Sequence, residues 1–181
     1  MADISKDLIA KAAQGDMGAF EEIYKATSGF VYNVALRITN DRSDADEATQ
    51  DTFVKVHRNL KGFGFRSSFK TWVYRIAANT ALNHIRRVAK HVSGRATYDP
   101  AVHDRPAAPD VTGAIDRQDA RHLLEAMLGT LDPDQRACLV LREIQGLDYQ
   151  AIADTLKINI NTVRSRLKRA REKLLAFGGK G

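Results

Sequence analysis

A single cysteine, Cys138, stands in 181 residues, so no intramolecular disulfide can form and no zinc-type cluster is available. The five histidines, His57, His84, His91, His103 and His122, never fall at a metal-ligand spacing from one another or from that cysteine. Glycine-rich phosphate loops, a nucleophile elbow and convergent carboxylates are missing as well, which removes the common enzyme classes and any cofactor they would carry. No stretch is apolar for long enough to cross a bilayer, and the opening MADISKDLIAKAAQGD has early acids where a signal peptide would have an apolar run. The expectation is a cytoplasmic protein with no catalytic residue, metal, cofactor, small-molecule substrate or direct membrane insertion.

Proline is scarce too, and its placement is informative. Three of the four prolines, Pro100, Pro106 and Pro109, fall in ATYDPAVHDRPAAPD, a segment of small residues with little periodicity. A flexible linker is expected there, over residues 90–113, between domains at 1–89 and 114–181. On both sides apolar residues recur at three- and four-residue steps, and β-branched runs bounded by turn signals are absent. The predicted fold is all-α, two small helical domains, with helices near 4–14, 17–39, 44–60, 68–88, 115–129, 133–145, 149–157 and 162–176. The formal net charge of +6 favours a polyanionic partner without proving one.

The C-terminal part gives the sharpest pattern. In LDPDQRACLVLREIQGLDYQAIADTLKININTVRSRLKRAREKLLAF, Asp132 can cap a helix whose first residue is Pro133, where the missing N–H costs nothing, and Gly146 suits its end. Asp148 can cap a short helix with Ala151, Ile152 and Leu156 inward, and Asn161 a third after a turn near 157–160. That arrangement is a helix-turn-helix. At about 100° per residue, Val163, Leu167, Ala170 and Leu174 share one face of the third helix while Arg164, Ser165, Lys168 and Arg169 point away. Six cations, Arg164, Arg166, Lys168, Arg169, Arg171 and Lys173, face Glu172 alone between 161 and 173, a density suited to phosphates. Thr162, Arg164, Ser165 and Lys168, at the start of the helix, are placed to read base edges, while Arg166 and Arg169 join them as DNA contacts, the later arginines positioning on phosphates.

In the N-terminal part, the stretch 44–60 gathers Ala45, Thr49, Phe53, Val56 and Leu60 on one side, leaving Glu47, Asp51, Lys55 and Arg58 opposite with Val54 beside them. Such a mixed stripe is ordinarily solvated surface. The following FGFRSSFKTWVYR interleaves rings with cations. In a helix from about 68, Trp72 shares a face with Arg75, Ile76, Asn79, Asn83 and Arg86, whereas Val73, Ala77, Ala81, His84 and Ile85 line another. Rings, amides and guanidinium groups on one side suit a splayed single strand, and asparagine can pair with an adenine edge. Phe63, Phe69 and Tyr74 are assigned to the core or its edge; Trp72 is open between core and DNA.

DADEATQDTF, FKTWVYRIAANTALNHIRR, LREIQGLDYQAIADTL and NTVRSRLKRARE, in that order, resemble the extracytoplasmic-function (ECF) sigma factors of bacterial RNA polymerase, in the sigma-70 superfamily. The resemblance implies a transcription initiation protein that binds core RNA polymerase and directs it to minus-10 and minus-35 promoter DNA. It implies a polymerase-binding surface of Asp46, Glu47, Gln50, Asp51 and Val54 on the clamp helices of the largest subunit, and contact with the flap of the second-largest. It assigns minus-10 recognition and melting to Asn79 and the loop Arg66, Ser67, Ser68 and Lys70, beside the Trp72, Arg75 and Asn83 stripe. An anti-sigma factor is implied as a further partner. Ala48 and His57 depart from the family, which commonly has a large aliphatic residue and an aromatic there. The competing reading is a conventional helix-turn-helix regulator with a helical sensing or dimerisation domain.

Overall fold

The computed structural model describes residues 4–93 and 117–179, all of whose regular elements are helical. Two compact units divide the chain, residues 1–84 and 85–181. The sequence expectation of a linker at 90–113 falls mostly outside the described residues, except that residues 90–93 continue a helix.

In the first unit every helix start is set by a short polar side chain. Ser5 caps α1 (Lys6–Ala13), Asp16 caps α2 (Met17–Thr39) and Asp41 caps α3 (Arg42–Asn59), each side chain accepting from a backbone N–H three residues on, at 3.2, 3.0 and 2.9 Å. Between α2 and α3 the chain reverses at Asn40, which adopts the left-handed conformation at φ 60° that asparagine tolerates better than most residues. A 3-10 turn (Leu60–Gly62) and a short loop lead to α4 (Phe69–Ser93).

Along α3 the buried positions are Ala45, Ala48, Thr49, Thr52, Phe53 and Val56, a stripe of mostly small residues that packs against α2. The threonines could leave hydroxyls stranded in the core. They do not, because Thr49 and Thr52 donate to the carbonyls of Ala45 and Ala48 at 2.7 and 2.6 Å, and Thr27 of α2 does the same to Ile23 at 2.6 Å. From α4, Val73, Tyr74, Ala77, Ala78, Ala81 and Leu82 are buried, with Tyr74 edge-on to Phe30 of α2 at 4.1 Å.

The second unit begins with α5 (Arg117–Gly129) and α6 (Pro133–Leu139), the latter capped by Asp132 with Pro133 in its first turn, as the sequence indicates. The single helix expected over 133–145 instead widens at its end into a π turn, Val140–Ile144. Here Gln145 N–H reaches the Val140 carbonyl five residues back, and Arg142 Nη1 donates to the Leu147 carbonyl at 2.9 Å. Arg142 also lies over the Tyr149 ring at 5.4 Å, so the wide turn is closed by one side chain.

Asp148 caps α7 (Tyr149–Leu156), donated to by Ala151 N–H at 2.7 Å. Ile152 is buried as expected, but its companions there are Ala153 and Thr155, Ala151 and Leu156 being only half-buried. Lys157 then takes φ 53° and ends the helix, and the last helix, α8 (Ile160–Gly178), starts behind Asn159 rather than Asn161. The reason is local: once Lys157 reverses the chain, Asn159 is the extended residue whose side chain can accept from Asn161 N–H, at 2.8 Å. Helix α8 packs on both α6 and α7, with Val163, Leu167 and Ala170 at most 1% exposed and Leu174 half-buried.

Leu167→Ala removes a side chain from the centre of that contact and is expected to cost about 2–5 kcal/mol in urea denaturation. Arg169→Ala, on the outward face, is expected to stay within about 0.5 kcal/mol.

Candidate functional site

The buried stripe of α3 decides what its other side presents. Asp46, Glu47, Gln50 and Val54 are exposed and Asp51 is half-buried. Val54, 46% exposed, is an apolar spot among acids. Lys55, which angular spacing puts on the same charged stripe, is turned away: its Nζ donates to Thr80 Oγ1 of α4 at 3.0 Å. The outward face is therefore more acidic than the sequence pattern indicates. Tyr24 of α2 extends it, 45% exposed and edge-on to Phe53 at 4.6 Å. Helical spacing within α2, Phe20 to Tyr24, carried a signal for this aromatic edge.

The aromatic stretch divides between core and surface. Phe63 and Phe69 are each 7% exposed, and Trp72 is half-buried against them, with ring centroids 5.0 and 5.7 Å away. Phe65 turns outward, 47% exposed, on a backbone with φ 53° that a bulky residue rarely adopts. Arg66 and Lys70 are exposed, with Lys70 Nζ 5.7 Å from the Phe30 ring, and Ser67 is half-buried. Ser68 has a structural task, since its Oγ accepts from Thr71 N–H at 3.0 Å at the start of α4.

Farther along α4, Arg75 and Asn79 are half-buried and Asn83 is exposed. The sequence argument turned on the cost of burying two amides. In the structure Asn79 lowers that cost within its own helix, donating Nδ2 to the Arg75 carbonyl at 2.8 Å. Arg75 Nε is buried and meets no hydrogen-bond partner among the described residues.

On α8 the cations separate into two sets. Arg166 is half-buried and bonded to Asp134 at 3.0 Å, Arg171 meets Glu143 at 3.0 Å, and Lys173 lies 3.9 Å from Asp132. These three turn toward acids at and beyond the start of α6. Arg164, Ser165, Lys168 and Arg169 are exposed and Thr162 is half-buried. Arg164 Nη1 is steadied by Asn161 Oδ1 at 2.9 Å, and Ser165 Oγ donates to the Thr162 carbonyl at 3.0 Å.

This sequence matches Sigma-70 region 2 over residues 23–91 and Sigma-70, region 4 over residues 121–174. It is also 32% identical over 173 residues to RNA polymerase sigma-H factor of Pseudomonas aeruginosa, with 92% of this chain and 90% of that one covered. The chain belongs to the ECF group of the sigma-70 family. It is 34% identical over 169 residues to ECF RNA polymerase sigma factor SigE of Mycolicibacterium smegmatis, covering 91% of this chain but 63% of that longer relative.

Among solved structures, CnrH in complex with the cytosolic domain of CnrY is similar at TM-score 0.63 and 26% identity, with 98% and 99% of the two chains covered. RpoE in complex with the anti-sigma factor NepR from Bartonella quintana is similar at TM-score 0.62 and 25% identity, covering 86% and 93%. Sigma factors are not enzymes. Among the described residues of this sigma factor, no helix is long and apolar enough to cross a membrane.

The two departures from the family pattern have physical accounts. Ala48 is wholly buried in the small-residue stripe, where a larger side chain would push α2 away. His57 is exposed and edge-on to Phe20 at 4.9 Å, so an aromatic contact exists at that position after all. Sequence reasoning missed a further pair: His84 is buried, and its Nε2 lies 2.8 Å from Asp44 Oδ1.

Cys138 is buried beneath Arg166, and burial pushes its thiol up to about 11 from the ordinary 9.0, against the lowering effect of the Arg166 guanidinium. A raised folded value means stability that is fully present below about pH 9 and is lost as pH rises through about 11. Denaturation as a function of pH is expected to show that alkaline loss in the wild type, reduced in Cys138→Ala.

Proposed function

We propose that this sigma factor binds core RNA polymerase through the acidic face of α3, opens and reads the minus-10 element with the 63–68 loop and α4, and reads the minus-35 element with α8. The observation that carries this reading is the sorting of exposed charge, acidic and apolar on α3 but basic on α8, within matches to sigma region 2 and region 4 in that chain order. The corresponding domains are 1–89 and 114–181, joined by 90–113.

Asp46, Glu47, Gln50 and Asp51 supply a polar and anionic surface for the clamp helices of the largest subunit, with Val54 as an apolar anchor. On α4, Trp72 leans on the Phe63 and Phe69 rings and keeps an exposed part for stacking, while Arg75, Asn79 and Asn83 follow on its face. Arg66, Ser67, Ser68 and Lys70 form the loop rim at the melted strand. In α8, Arg164, Ser165, Lys168 and Arg169 enter the major groove or meet its phosphates beside Thr162, and Arg166 acts through its pairing with Asp134, which holds the helix on α6. The flap of the second-largest subunit and an anti-sigma factor are the further partners, the latter supported by the anti-sigma complex of the similar RpoE. The cytoplasm, where promoter DNA is, is the corresponding location.

Purified protein added to bare core polymerase is expected to produce promoter-specific transcripts, and none would overturn the reading. Glu47→Lys and Asp51→Lys are expected to weaken core binding about tenfold or more, measured by competition against a labelled wild type. Arg164→Ala and Lys168→Ala are expected to lose about 1–3 kcal/mol on the cognate minus-35 duplex, and an equal loss on every sequence would make them phosphate contacts. Asn79→Ala is expected to lower permanganate reactivity of the melted strand while leaving closed binding largely intact.

A further inference from the structure

Most of the face that α4 buries is apolar: Val73, Ala77, Ala78, Ala81 and Leu82. Apolar contacts favour closeness without fixing direction. Directional contacts between α4 and α3 are made by Lys55 with Thr80, at 3.0 Å, and by His84. The His84 ring is 3% exposed, with Nε2 2.8 Å from Asp44 Oδ1 and Nδ1 3.7 Å from Glu47 Oε2. A carboxylate oxygen only accepts, so the shorter contact is donated by Nε2.

We propose that His84 is a positioning residue which, through Asp44 and Glu47, couples occupancy of the acidic face of α3 to the setting of α4. The inference rests on the polymerase-binding role of that face. Glu47, with its side chain 62% exposed, stands between two surroundings: solvent and polymerase on one side, a buried ring on the other. A polymerase cation that draws on Glu47 changes the charge beside an imidazole shielded from water, where electrostatic effects are strong. His84 passes the change to α4 at the position next to Asn83. Coupling of this kind is reciprocal, so a change at His84 alters how much Glu47 contributes to polymerase binding.

The test is a double-mutant cycle with full-length protein and core polymerase. His84→Phe keeps a ring and removes both nitrogens; His84→Gln keeps an N–H donor for Asp44. Core affinity is measured for wild type, Glu47→Gln, His84→Phe and the double variant, and promoter opening by permanganate at saturating core. The expected result is that Glu47→Gln weakens core binding by a factor that shrinks about threefold or more in the His84→Phe background. Opening is expected to slow about tenfold in His84→Phe and to recover in His84→Gln, as loss and return of one hydrogen bond to a charged group imply.

An identical Glu47→Gln factor in both backgrounds, with unchanged opening, overturns the proposal. If Glu47→Gln alone leaves core affinity untouched, the role of the α3 face falls and the coupling falls with it, so the two failures are distinguishable. Should His84→Phe not fold, Asp44→Asn weakens the same bond from the other helix and takes its place in the cycle.

Discussion

The close packing of α3 on α2 through small side chains is the constraint from which the first unit follows. Alanine and threonine at 45, 48, 49 and 52 allow the helices to approach, and threonine is admissible because its hydroxyl is bonded within its own helix. With that side committed to the core, the charged residues of α3 have only one direction left. The acidic surface is thus a consequence of core geometry, and the departure at Ala48 belongs to the same requirement.

In the second unit one helix serves two purposes by dividing its cations. A basic helix placed against a protein core would meet repulsion or desolvation wherever its charges faced inward. Here Asp134, Glu143 and Asp132 receive Arg166, Arg171 and Lys173, leaving Arg164, Lys168 and Arg169 on the outward side. Exposed ion pairs contribute little individually. Their effect is on orientation: they set which way α8 is turned, and hence which side chains a duplex would meet.

How much of this was legible in the sequence depended on range. Caps and turns are local, so Asp132 with Pro133 and Asp148 marked their helices from neighbouring residues alone. The start of α8 was misread by two residues because Asn159 and Asn161 are equally good caps in sequence, and the choice depends on Lys157 adopting a left-handed backbone. Helical period revealed the α3 stripe and the face of α4 that carries Asn79 and Asn83. It could not reveal that Lys55 turns to Thr80, or His84 to Asp44, contacts that span 25 and 40 residues and depend on the angle at which two helices pack. Charge counting likewise found the cations of α8 without separating those paired to α6 from the rest.

The wide turn at Val140–Ile144 bears on how this region tolerates changes of length. A turn closed five residues back holds one residue more than an α-helical turn does. Deleting a residue there would let the helix close normally, yet it would rotate everything that follows by about 100°. Asp148, Tyr149 and the beginning of the helix-turn-helix would then leave a different side of the helix. The spare residue is thus part of the gearing between α6 and α7, and the register of the DNA-facing helix depends on its being kept.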